Sequence, residues 1–64
     1  MVKEQPTRKV VRQLRAAGFR AVRTQGSHTV YQKGALSVTV PDGHRTVSPG
    51  VYRKVLKAIE ESTS

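Results

Sequence analysis

At 64 residues the chain makes one small domain spanning 1–64, and a domain of this size buries only about 60% of the surface its unfolded chain exposes. That argues against a deep enclosed pocket for a small-molecule substrate and for a shallow site facing a large one. Cysteine is absent, and two histidines and four acidic residues are too few and too scattered for a metal cluster, so neither disulfides, metal nor cofactor is expected.

Twelve Lys and Arg against four Asp and Glu leave a net charge of +8 and a pI near 11. In so short a chain this points to a polyanionic partner: nucleic acid first, an anionic membrane surface or an acidic protein after it. Met1-Val2-Lys3-Glu4-Gln5-Pro6 lacks the apolar core of a signal peptide, and no run approaches the length of a membrane span. The expected location is cytoplasmic.

Met1 to Pro6 reads as a short extended lead-in, and Pro6 keeps Gln5 out of a helix. Thr7 is placed as an N-cap of a helix from Arg8 to Ala17, where Val10, Val11, Leu14 and Ala17 recur at helical spacing. Arg8, Arg12 and Arg15 line the opposite side, and this basic stripe reads as a solvated face. Gly18 supplies the stop. Phe19 to Thr24 then alternates as a first strand.

Gln25-Gly26-Ser27 turns the chain, and His28 to Lys33 is the second strand, rich in β-branched and aromatic residues at Thr29, Val30 and Tyr31. Gly34-Ala35 turns it again into a third strand, Leu36 to Val40, which Pro41 ends. A two-residue Gly34-Ala35 loop pairs Lys33 with Leu36, Tyr31 with Val38 and Thr29 with Val40. Paired residues share a face, so Tyr31, Leu36, Val38 and Val40 point to the core, while His28, Val30, Gln32, Ser37 and Thr39 point to solvent. A slip of one residue would reverse the assignment.

Asp42 to Val47 is a connection with turn chemistry at Asp42-Gly43. Ser48 is an N-cap and Pro49 a first helical residue. Val51, Tyr52, Val55, Leu56, Ala58 and Ile59 then form the apolar face of a second helix, with Arg53, Lys54, Lys57, Glu60 and Glu61 on the other. Ser62, Thr63 and Ser64 are expected to fray. The order helix, three antiparallel strands, helix predicts an α+β fold of two layers, with both helices on one face of the sheet. Arg23, His28, Gln32, Lys33 and Arg45 are placed at or near the open face, where a phosphate backbone could lie.

His28 is the candidate for chemistry. It begins a rigid strand beside the backbone N–H groups of a turn, and an imidazole with an ordinary pKa of about 6.5 is suited to proton transfer. RNA brings its own nucleophile, the 2′-OH, so cleavage requires proton movement and charge stabilisation, without a metal. Gly26 and Ser27 offer backbone donors, and Arg23, Lys33 and Arg45 offer cations for phosphates. His44 and Tyr31 are the other groups that could move a proton; His44 reads as a loop residue and Tyr31 as core. A non-catalytic RNA- or DNA-binding module would use the same fold and charge without histidine chemistry. A basic subunit that only pairs with an acidic protein is a further alternative.

Gly18-Phe19, Arg23-Thr24-Gln25-Gly26-Ser27-His28, Val38-Thr39-Val40-Pro41, His44, and Pro49-Gly50 followed by Val51-Tyr52-Arg53-Lys54-Val55-Leu56 together resemble the HicA family of bacterial toxins, the toxin half of HicBA toxin–antitoxin pairs. The resemblance covers nearly the whole chain after Thr7. It implies an α-β-β-β-α fold like that of double-stranded RNA-binding domains, ribosome-independent cleavage of mRNA with the Gly-Ser-His histidine, here His28, as catalytic residue, and an acidic-surfaced HicB-type antitoxin that covers the active face. Phe19 stands where the family often has tryptophan, and the extra Asp42-Gly43 shifts His44 away from Pro41.

Overall fold

The computed structural model describes residues 3–63. The elements are β1 (Gln5–Pro6), α1 (Thr7–Ala16), β2 (Arg20–Gln25), β3 (His28–Lys33), β4 (Leu36–Val40), β5 (Thr46–Val47) and α2 (Pro49–Thr63). β2, β3 and β4 form one antiparallel sheet in that order, and β1 pairs with β5 in a separate two-stranded ladder. The architecture is the α+β arrangement of two helices and a three-stranded antiparallel sheet that the hydrophobic pattern predicts.

The core is built where the periodicities converge. Val10 and Leu14 from α1, Val38 and Val40 from β4, Tyr31 from β3, Val47 from β5, Val55 from α2, and Phe19 from the connection after α1 form one buried cluster. The β3–β4 register is Lys33 with Leu36, Tyr31 with Val38 and Thr29 with Val40, as the even loop predicts. Gly34 has a φ of +59°, and no other residue of that loop has positive φ, the pattern of a two-residue II′ hairpin turn.

Three boundaries differ from the sequence reading, each for a physical reason. Thr7 is not an N-cap: it is the first helical residue, Pro6 holds the cap position without a side-chain bond, and the buried Thr7 hydroxyl donates to the His44 carbonyl at 2.6 Å. The first strand of the main sheet starts at Arg20, because Phe19 closes α1: its N–H donates to the Leu14 carbonyl (2.9 Å) and that of Gly18 to Arg15 (3.0 Å). With Gly18 at φ +99° this is a Schellman ending, and the Phe19 ring drops into the core. At the other end, Ser62 and Thr63 remain helical. Their hydroxyls donate back to the carbonyls of Ile59 (2.7 Å) and Glu60 (2.9 Å), which holds the last turn together.

The lead-in, expected as extended chain, and the connection after Pro41, expected as a turn-bearing loop, meet each other as paired strands: Gln5 pairs with Val47 and Pro6 with Thr46. The expectation for Met1, Val2 and Ser64 lies outside the described residues. In α2, Ser48 caps as expected, accepting from the Val51 N–H at 3.3 Å. Leu56, expected on its apolar face, is instead 40% exposed, since the buried stripe runs through Val51, Tyr52, Val55, Ala58 and Ile59.

All six residues of β2 are exposed, including Ala21 and Thr24 on the face that Tyr31 and Thr29 share. The helix layer therefore covers β3 and β4 and leaves β2 overhanging as an uncovered edge strand.

Candidate active site

Gln25 pairs with His28, so the β2–β3 loop is the dipeptide Gly26-Ser27 and Gln25 belongs to the strand. Gly26 has a φ of +58° and Ser27 does not take a positive value, the II′ pattern again. His28 is exposed at the first position of β3. The N–H groups of Gly26 and Ser27 make no hydrogen bond among the described residues, and nothing lies within 4 Å of where a Gly26 Cβ would sit. The imidazole thus stands beside two unused backbone donors at an open turn.

The register fixes what shares its face. Arg23 pairs with Val30, two residues from His28, a diagonal of roughly 7–8 Å between backbones. The pairing slips between Ala21 and Arg23, because Val22 is an extra residue in β2. This bulge restores Arg20, paired with Gln32, to the same face as Arg23. Without it the two arginines would point to opposite sides. Arg20 was invisible to simple alternation for that reason. It lies four β3 positions from His28, roughly 13 Å along the strand. Ser37 and Thr39 of β4 complete the face, both exposed.

Other expected site residues fall elsewhere. Lys33 is not on this face. It pairs with Leu36 on the helix side, and its ammonium donates to the Ala17 carbonyl at 2.6 Å. A cation on the last carbonyls of α1 complements the negative end of the helix, so this charge caps α1. Tyr31 is buried on the helix side, three strand positions from His28 and hence facing the opposite way. His44 and Arg45 have exposed side chains on the loop before β5, while their carbonyls hold the start of α1: His44 accepts from Thr7 Oγ1 and Arg45 from the Thr7 N–H at 2.8 Å.

That loop also reaches the catalytic candidate's turn. The Gly43 N–H donates to the Ser27 carbonyl at 2.9 Å, and its Cα lies flat against Ser27. A Cβ on Gly43 would fall 2.4 Å from Ser27 Cβ and 3.0 Å from Ser27 Cα, so only glycine fits. The Asp42-Gly43 pair is therefore a brace on the residue before His28.

On the helix side, next to Asp42, lies a cavity of about 500 Å³ lined by Thr7, Arg8, Val11, Arg12, Arg15, Tyr31 and Asp42. Burial first, then the Asp42 carboxylate, raises the pKa of the Tyr31 hydroxyl above its ordinary value, and Arg15 beside it offsets part of the rise. Among the described residues no three His, Cys, Asp or Glu side chains come together as metal ligands, and no helix is long and apolar enough to cross a membrane.

The family model of the HicA toxin of bacterial toxin–antitoxin systems matches residues 7–60. The chain belongs to the HicA toxin family. No curated protein and no solved structure matches it. The match spans α1 through most of α2, and so includes the Gly26-Ser27-His28 turn, the overhanging β2 and the Gly43 brace. This HicA-family chain is accordingly the toxin of a toxin–antitoxin pair, and such a toxin has an antitoxin as its partner.

Proposed function

We propose that this toxin is an endoribonuclease that cleaves mRNA without a metal ion, with His28 moving a proton. The observation that carries the reading is the exposed imidazole at the head of β3, adjoining two unused N–H groups and sharing its face with Arg23. In the step, the ribose 2′-oxygen bonds to the adjacent phosphorus and the bond from phosphorus to the 5′-oxygen breaks. The products are a 2′,3′-cyclic phosphate and a free 5′-hydroxyl. One proton leaves the 2′-OH and one arrives at the 5′-oxygen; His28 handles one of these transfers and water the other. The Gly26 and Ser27 N–H groups and the Arg23 guanidinium stabilise the charge that builds on the phosphoryl oxygens. A HicB-type antitoxin with an acidic surface would silence the toxin by covering this basic face.

The absence of a second proton-transferring side chain among the β-sheet neighbours of His28 favours one other reading, a module that binds RNA without cutting it. Both are tested by incubating labelled RNA with the purified chain and its His28→Ala variant in the presence of EDTA. A positioned histidine contributes about 10²–10⁴-fold, so the variant should lose cleavage by that factor while keeping its fold and RNA affinity. RNA that stays intact with the parent chain but is retained in a gel shift would leave only the binding module.

A further inference from the structure

The arginines of α1 form more than a solvated stripe. Arg8, Arg12 and Arg15 recur at i, i+4 and i+7, which puts them on one side of the helix, and all three line the 500 Å³ cavity together with Tyr31. Asp42 is the single carboxylate among the lining residues, and it and Arg15 both engage the Tyr31 hydroxyl. Arg8 and Arg12 have no hydrogen-bonded or ionic partner among the described residues. Two free guanidiniums over a concave surface are a ready anion site, because the planar fork of Arg matches the paired oxygens of a phosphodiester.

The cavity is linked to the turn before His28 through the chain's own contacts. Asp42 lines it, Gly43 follows Asp42, Gly43 is bonded to Ser27, and His28 follows Ser27. An RNA strand lying over the Gly26-Ser27 turn would pass round the Asp42-Gly43 brace, from the open face to the helix side, to reach α1. The rise from Arg8 to Arg12 is about 6 Å, of the order of the spacing of successive phosphates on an extended strand.

We infer that the Arg8–Arg12–Arg15 cavity is a subsite for the single-stranded RNA that flanks the scissile bond, holding phosphates outside the His28 face. The inference rests on RNA being the substrate. Its function is to supply binding energy away from the reacting phosphate, so that longer RNA is cleaved more efficiently than RNA covering only the sheet face. An acidic protein segment is the competing occupant, and it predicts no effect of these arginines on RNA.

The test uses the full chain with Arg8→Gln and Arg12→Gln together, and Lys54→Gln with Lys57→Gln on α2 as a charge-matched comparison. All four side chains are exposed, so folding is preserved. Affinity for a short and a long labelled single-stranded RNA is measured in the His28→Ala background across a salt series. Cleavage of both RNAs is measured in the chain that keeps His28. The arginine pair should weaken binding of the long RNA by roughly 5–10-fold, as for two exposed ionic contacts. Its salt slope should flatten by about 1.4, the loss of two phosphates from a single strand. The short RNA should respond little, and the lysine pair should flatten the slope less than the arginine pair. Unchanged affinity and slope for the long RNA, or equal effects of the two pairs, would overturn the subsite even where cleavage is normal. Cleavage absent from the parent chain, with the arginine effect on binding intact, would instead refute the nuclease reading and leave the groove in place. No RNA binding by the parent chain removes both.

Discussion

At the scale of single residues, the catalytic candidate depends on a glycine that carries no chemistry. His28 is held by its pairing with Gln25, and the turn before it is pressed by Gly43. Gly43→Ala would drive a methyl to 2.4 Å from Ser27 Cβ, so the loop or the turn must move. We expect the folded variant to lose about 1–3 kcal/mol of stability, typical of overpacking. A displacement of the reacting group of about 1 Å can cost 10²-fold, so single-turnover cleavage well below the melting temperature should fall by tenfold or more. Adding Ser27→Gly removes the nearest clashing atom and should recover part of the rate; a Gly43→Ala rate equal to the parent's would show that the brace does not set the turn. The place of His28 at the head of a strand was legible in the sequence, since Gly26-Ser27 before a β-branched run marks a hairpin. Gly43 was not, because its role is a contact across 16 positions that no local pattern encodes.

At the scale of elements, alternation and helical spacing were sufficient for both helices and for the β3–β4 register, where the apolar residues gather on one side only if the loop holds two residues. They failed where one residue breaks the period. The extra Val22 in β2 realigns Arg20 with Arg23, and neither residue is buried, so no hydrophobic cue marks the slip. The two-residue strands β1 and β5 were illegible because their pairing is long-range and short. Lys33 shows how an element can claim a residue that charge counting assigns to the ligand. Its stem packs on Gly18, where a Cβ would meet Cε at 3.1 Å, and its ammonium ends on the Ala17 carbonyl. Lys33→Met keeps the stem and removes the charged donor. Stability measured by urea unfolding should drop by about 1–2 kcal/mol, for a part-buried charged hydrogen bond at a helix terminus. RNA affinity per folded molecule should hold, and an affinity loss without a stability loss would return Lys33 to the RNA surface.

At the scale of the whole molecule, Tyr31 and Asp42 join parts that are far apart in sequence. The ring belongs to β3, Arg15 to α1, and Asp42 to the loop that braces the turn before His28, so the hydroxyl sits where three segments meet. Global stability should register that position through pH. Burial and the Asp42 carboxylate keep the folded Tyr31 protonated to higher pH than a free tyrosine. In the unfolded chain it ionises near pH 10. Below that pH both states hold the proton and Tyr31 makes no pH-dependent contribution. Above it the unfolded state binds fewer protons than the folded one, so stability falls as pH rises through the folded pKa. Tyr31→Phe removes this group and leaves Tyr52 and every lysine in place. The loss of unfolding free energy between pH 8 and pH 11 should therefore be smaller in the variant than in the parent, measured by urea unfolding at the two pH values. Equal losses in the two chains would mean that the hydroxyl is as free to ionise in the folded protein as in the unfolded one, and that these three segments are not joined through it.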